Sequence, residues 1–413
     1  MGALNQGPRP RILVCASMWW PLSARLAMAF VRHGCAVSGL CPPGHPLRFI
    51  SGIESVYLYK GLDSLGSLES AILAARPDLI VPGDDSVVWQ LHALHARNIE
   101  LQPLIERSLG DKDGYPEIRS RGAFLQVAHE LGIRIPSART VLSEEDIKSW
   151  NADTQAVLKL DGTCGGMGVC IARSRAEAAA ALRTLSRPIG AGTAWKRWLI
   201  NRDPVALWVG NRHEKPRVTI QEFIQGRPAN AMIACWQGEV VGTIIVEVIA
   251  SQGATGAATV VRVVRNEEIE RAGQLIAAKF KLSGFHGLDF ILERETGAPY
   301  LIELNPRCTQ LGHLRLPSQG DLAATICAKL RHEPQSAAET VKDSIPGNTV
   351  AFFPQAFNWN PKSPYLRSGY HDVPWEEPAL VRELLRSSWP ERQWLYRAYH
   401  SFRPLKREDE VEF

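Results

Sequence analysis

The sequence predicts an α/β chain with a parallel sheet in its first hundred residues and antiparallel sheets in its middle. Three observations carry this. Residues 11–105 alternate short apolar runs with helical stretches, the pattern of parallel strands joined by right-handed crossovers. Residues 217–305 instead hold strand-like runs separated by short polar turns. Beyond residue 330 the chain becomes Pro- and Trp-rich, which reads as a linker and a helical, irregular tail. Four units are expected: 1–110, 111–226, 227–332 and 333–413.

In the first unit, strands are expected at 12–16, 36–41, 55–59 and 78–81, and helices at 22–33, 64–75 and 86–97. The segment after the first strand reads SMWWP rather than GxGxxG, which argues against a dinucleotide site. Asp84 and Asp85 follow the fourth strand at its carboxyl end, where open sheets place ligands. They also suit a helix N-cap pair, so cap and substrate contact both stand as readings.

The polar stretch 110–116 (GDKDGYP) marks a boundary, and one helix is expected over 119–131. A strand at 156–160 runs into a Gly-rich stretch, and a helix follows at 176–185. Residues 187–217 hold seven Arg or Lys against Asp203 and Glu214, interleaved with Trp195, Trp198 and Trp208. Such a mixture suits a phosphorylated ligand or single-stranded nucleic acid, or a solvated face over buried tryptophans. Further strands are expected at 217–224, 231–235, 240–248 and 259–264, the last carrying Arg262, with a Gly/Ala-rich loop at 251–258 and a helix over 266–280.

A chain of 413 residues, 45% apolar and 22% charged, can bury a large core. Its net charge of +4 is too small to argue for nucleic acid or membrane surfaces. Eight cysteines without CxxC or His/Cys ligand spacing favour reduced thiols over a disulfide framework. The longest apolar run, 240–250, is interrupted by Glu247 and falls short of a membrane span. A cytoplasmic location is expected, with no nucleic-acid or membrane partner.

The richest stretch is 284–309. Two apolar runs flank a polar segment containing Gly297, a hairpin signature. With the turn centred on Thr296, Asp289 and Glu303 each lie seven residues away and face each other, and Asn305 falls on the same face. Carboxylates placed so, roughly 5 Å apart, repel by about 3 kcal/mol. A cation relieves this, and an all-oxygen set suits Mg²⁺ or Mn²⁺ better than zinc. Arg307 can turn its planar fork onto a phosphate. His286 reads as a core residue, and Cys164 and Cys308 as small fillers.

Upstream, KLDGTCGGMG from Lys159 to Gly168 places four glycines within seven residues after a strand-terminal lysine. Such a loop can aim successive backbone N–H groups at a phosphate, with the lysine as fixed positive charge. It is not the P-loop pattern.

The order of these motifs resembles the ATP-grasp superfamily: a lysine strand with a Gly-rich flap, the strand QEFIQG at 221–226, and the D-x13-E-x-N-P-R hairpin. The ELNPR form at 303–307 looks most like the large subunit of carbamoyl-phosphate synthetase and related amino-acid ligases. The resemblance covers roughly residues 10–330. It implies a Rossmann-like first domain, a small lobe over 111–226, a large lobe over 227–332 and an extension over 333–413.

It further implies that Asp289, Glu303 and Asn305 hold Mg²⁺ ions bridging ATP phosphates, and that Lys159 contacts those phosphates. Thr163, Gly165, Gly166 and Gly168 would close as a flap. Gln221, Glu222, Phe223 and Ile224 would line the adenine. Arg121 or Arg119 stands where relatives carry a first phosphate-binding lysine, and Pro228 stands where many carry a ribose-binding glutamate. The implied activity is ADP-forming ligation of a small acid to an amine through an acyl phosphate, with Lys159, Arg307 and Arg262 assisting. Alternatives are another phosphoryl acceptor, as in a kinase or carboxylase, or a non-catalytic nucleotide-binding scaffold. A homodimer is a further implication.

Overall fold

The structure is a computed structural model that describes residues 9–150, 155–162, 168–187, 217–317, 319–333, 346–402 and 409–413. Strands β1 (Arg11–Cys15), β2 (Ala36–Cys41), β3 (Ile53–Leu58) and β4 (Leu79–Pro82) form an all-parallel sheet in the order β3-β2-β1-β4. Helices α1 (Leu22–Arg32) and α2 (Ser64–Ala75) make the β1–β2 and β3–β4 crossovers, and α3 (Asp85–Arg97) follows β4. β1 and β4 are apolar and almost wholly buried, as sheets covered on both faces require.

The helix expected over 119–131 is present as α6 (Arg121–Glu130), reached from α4 (Gln102–Leu109) through a further short helix, α5 (Tyr115–Arg119). Ser120 separates the two, with an extended backbone and a hydroxyl that accepts the Ala123 N–H as an N-cap. The break puts Arg121 on the first turn of α6. Phe124 and Leu125 of α6 join Ile233, Ile276 and Leu288 in one core. Residues 115–130, counted above with the small lobe, therefore pack on the large sheet.

The small lobe is a four-stranded antiparallel sheet. It contains β5 (Ala138–Val141), β6 (Ala156–Leu160), β7 (Val169–Ala172) and β8 (Val218–Glu222) in the order β5-β8-β6-β7. Gly168, at φ +72°, lets the chain return so that the Leu160 N–H meets the Gly168 carbonyl at 2.9 Å.

The large sheet holds β9 (Gly226–Trp236), β10 (Glu239–Gln252), β11 (Ala258–Val263), β12 (Gly284–Glu293) and β13 (Pro299–Asn305), in the order β13-β12-β9-β10-β11. Gly226 allows β9 to start against β12, because a Cβ there would lie 2.0 Å from the Leu292 carbonyl oxygen. One face is covered by α6 and the helix Glu267–Phe280, the other by α1 and the helix Leu322–Leu330. That double cover explains the near-continuous apolar run of β10.

After the two-residue strands β14 (Arg315–Leu316) and β15 (Gly320–Asp321), the extension is helical in part. It also adds β16 (Thr349–Phe352), β17 (Tyr370–Asp372) and β18 (Glu410–Glu412) to the large sheet. These strands were not visible as an irregular tail in the sequence. β16 pairs with β11, and Val350, Phe352 and Leu380 share a core with Ile12, Phe30 and Val246. No helix of the described residues is long and apolar enough to cross a membrane.

Candidate active site

The β12–β13 hairpin pairs Asp289 with Glu303, but not through a regular ladder. Leu292 pairs with Pro299, Ile291 with Tyr300 and Phe290 with Leu301. Ile302 is then an extra residue before the Asp289–Glu303 pair. This bulge, rather than a turn centred on Thr296 alone, brings both carboxylates to one face. It also turns the Ile302 carbonyl toward the small lobe, where it accepts from Lys159 Nζ at 3.5 Å and Gln221 Nε2 at 3.2 Å.

The two acids are held differently. Glu303 receives Arg121 Nη2 at 2.7 Å and faces Lys159 Nζ at 3.8 Å. Burial alone would raise its pKa, yet Arg121 and Lys159 together hold it below the ordinary value. Among the described residues Asp289 accepts from two amides, Asn230 Nδ2 at 2.6 Å and Asn305 Nδ2 at 2.9 Å. Burial and the neighbouring Glu303 charge raise its pKa. Lys159, almost fully buried, is pushed down to about 8, chiefly by burial, with Glu303 acting in the other direction.

Arg307 donates from Nε to Asp85 Oδ2 at 2.9 Å and from Nη2 to Asn305 Oδ1 at 3.3 Å. Asp85 thus fixes the arginine fork from the first domain. Asp84 is fully engaged as a cap. Its carboxylate accepts the Ser17 N–H at 2.6 Å, the Ser17 hydroxyl at 2.7 Å and the Val87 N–H at 3.1 Å. The helix-cap alternative therefore describes Asp84, while Asp85 serves Arg307.

Most of these groups border one cleft of about 540 Å³ between the small sheet, the large sheet and the first domain, while Asp85 lies in an adjoining hollow with Arg121 and Glu303. The cleft brings together Lys159, Arg121, Asp289, Glu303, Asn305 and Arg307, with Gln221, Glu222, Phe223 and Ile224 at the small-lobe side. Gln221 uses one amide N–H on the Ile302 carbonyl, which orients its side chain at the cleft wall. Gly168 closes the turn after β6, and Thr163, Gly165 and Gly166 lie outside the described residues. So does most of the basic Trp-containing segment.

Arg262 departs from its expected place. It is exposed on β11, its register partner is Glu247, and it does not border the cleft, whereas the preceding Val261 does. Alternation along the strand puts its side chain on the opposite face. His286 is buried with Nε2 at 2.9 Å from the Ser283 carbonyl, a core residue. Cys308 is buried in the turn after the hairpin.

Two contributors were missed from sequence. Asn230 is the register partner of Asp289 on β9, and reading β9 from Gly226 onward would have shown its facing position. Asp161, the acid in KLDG, sits 3.4 Å from Arg121 Nη1, and burial raises its pKa to about 6.

Among known proteins, the model of the ATP-grasp domain matches residues 203–310, the span that contains the hairpin and Arg307. No curated protein matches the chain in sequence. Biotin carboxylase from Campylobacter jejuni, solved as a β,γ-ATP complex, aligns at TM-score 0.57 and 11% identity over 81% of this chain and 74% of its own. N5-carboxyaminoimidazole synthetase from Staphylococcus aureus, solved with ADP, aligns at 0.56 and 13% over 79% and 78%. L-amino acid ligase from Bacillus licheniformis aligns at 0.54 and 12% over 79% and 75%. With the domain match over residues 203–310, which holds the hairpin, and these folds around it, the chain has the ATP-grasp fold and carries a segment similar to the ATP-grasp domain.

Proposed function

We propose that this protein is an ATP-dependent carboxylate–amine ligase that releases ADP. The observation that carries the reading is the convergence of Asp289, Glu303 and Asn305 beside Lys159 and Arg307 in one cleft. Asp289 has no cationic side chain within ion-pair distance among the described residues, faces a second carboxylate and is raised by burial. An oxygen-only set of two carboxylates and an amide fits Mg²⁺ or Mn²⁺. When bound, such an ion would neutralise charge on the phosphates of ATP.

The chain's own residues supply the rest. Lys159 and Arg121 offer positive charge for the α- and β-phosphates, and the 163–168 flap would cover them. Adenine would lie against Phe223 and Ile224. The Glu222 and Phe223 N–H groups already bond Ser137 and Gln155 carbonyls, so the hinge is held in place before a nucleotide arrives. Pro228, which borders the cleft, leaves the ribose without an acidic partner at that position.

In the reaction, a substrate carboxylate oxygen attacks the γ-phosphorus and ADP leaves. The amine then attacks the acyl carbon, phosphate leaves, and the amine loses a proton. Arg307, oriented by Asp85, faces the acyl phosphate. Phosphoryl transfer asks mainly for position and charge neutralisation, which these groups provide. The acid and amine are small molecules, and the reduced, scattered cysteines suit a cytoplasmic setting. The test is ATP, Mg²⁺, a broad amino-acid pool and hydroxylamine. ADP and hydroxamate are expected together, and their absence across the pool overturns the ligase reading.

A further inference from the structure

Part of the cleft lining, here called the second compartment, is left unused by the nucleotide roles above. Its walls come from parts of the chain distant in sequence: Met18 and Trp20 after β1, Val261 on β11, and Phe352 and Phe413 from the extension. Its floor is the Gly/Ala-rich turn between β10 and β11, where Ala254, Ala257 and Ala258 leave space that larger side chains would fill. Val261, Leu311 and Phe352 belong at the same time to the core between the large sheet and the first domain. The compartment is therefore where that apolar core opens to the cleft.

Charge is spent here, and the hydroxyls that border the cleft sit on short side chains: Ser251 donates to the Gly253 carbonyl, Thr309 donates to the Met232 sulfur, and Thr255 stands in the turn. Asp84 borders the compartment beside Met18, but its oxygens are taken by Ser17 and Val87. Gln310 borders it and has a buried Nε2 with no partner among the described residues. Gln310 lies three residues beyond Arg307, which stands at the hairpin end of the same cleft. Phe413 is held by its backbone, its N–H donating to the Ile249 carbonyl at 3.0 Å, while β18 pairs with β10 at Ala250 to Gln252.

We infer that the acid substrate carries a bulky apolar body, aromatic or branched aliphatic, which fills this compartment while its carboxylate points to Arg307 and the hairpin. The inference rests on the ligase reading and adds the substrate class. Apolar walls with one or two fixed polar groups select by shape and by refusing unpaired charge. The extension is then part of the specificity site, since two of the aromatic walls come from it.

The test uses the full chain with Mg²⁺ and ADP, and calorimetry with L-phenylalanine, L-leucine, 3-phenylpropionate, phenethylamine, L-glutamate and L-lysine. L-Phenylalanine, L-leucine and 3-phenylpropionate are expected to bind at least about 10-fold more tightly than L-glutamate or L-lysine. Trp20→Ala and Phe413→Ala should each weaken 3-phenylpropionate binding about 10-fold and raise its KM more than they lower kcat. Equal or tighter binding of the charged amino acids overturns the inference, as does unchanged binding in both variants. Binding of phenethylamine but not 3-phenylpropionate also overturns it, because the compartment would then serve the amine. Failure of the wild-type chain to bind ADP instead refutes the nucleotide reading, whereas ADP binding without any preference among acids refutes only this inference.

Discussion

Asp289 and Glu303 are register partners on one face of the hairpin, yet among the described residues two cations hold Glu303 and two side-chain amides hold Asp289. The pair is thus electrostatically unequal: the protein's own cations neutralise one acid, while burial raises the pKa of the other. The same geometry separates their contributions to stability and to function.

Glu303→Gln leaves Arg121 and Lys159 short of their shared partner. A buried pair broken on one side costs several kcal/mol. Because Arg121 keeps Asp161 and Glu303 is partly exposed, about 2 kcal/mol is expected in denaturant unfolding. Asp289→Asn removes a carboxylate that burial disfavours, and the Asn230 amide can flip to suit it while Asn305 Oδ1 keeps its bond from Arg307. Its stability without metal should stay within about 1 kcal/mol of the wild type. The folded chain holds the Asp289 proton more tightly than the unfolded chain, so its contribution is greatest at low pH and is lost as pH rises through the raised pKa. Asp289→Asn should flatten that part of the stability profile and abolish the Mg²⁺-dependent rise in Tm with ATP. A full Mg²⁺ shift in this variant would contradict the proposed metal site.

Lys159 sets a second pH dependence. Its pKa in the folded chain is about 8, against 10.5 ordinarily. Between these values the unfolded chain binds more protons, so stability should rise with pH across that window as the buried charge is relieved. ATP affinity should move the opposite way, falling as pH passes about 8, because the neutral amine attracts phosphate less. A bound phosphate raises the pKa again, so kcat should be less pH-sensitive than kcat/KM. Lys159→Met should remove the alkaline limb in kcat/KM for ATP, and its persistence would exclude Lys159 as the source.

Asp372 ties the extension to the rest of the molecule. It is buried between Arg25 of α1 and His313 of the turn after the hairpin, with His313 Nε2 at 2.7 Å, and it is the register partner of Phe352. Asp372→Ala strands the Arg25 guanidinium, whose Nε and Nη1 already lack partners among the described residues. About 3 kcal/mol of stability should be lost, and combining it with Arg25→Leu should recover part of that loss. Additive losses in the double variant would show that the two residues do not act as a pair.

Local chemistry made much of this legible from the residues alone. Alternating apolar runs specified the parallel sheet, because strand and helix periods are properties of short segments. The polar turn around Gly297 and the spacing of Asp289, Glu303 and Asn305 specified the facing acids, because a hairpin is closed by its own turn. Tertiary packing decided the rest. Arg121 reaches Glu303 across 182 positions, Asn230 reaches Asp289 from a neighbouring strand, the Ile302 bulge corrects the register, and Arg262 faces away. Three short strands of the extension complete a sheet begun far upstream. Strand pairing and buried charge depend on what lies opposite, and a linear sequence does not carry that information in any one window.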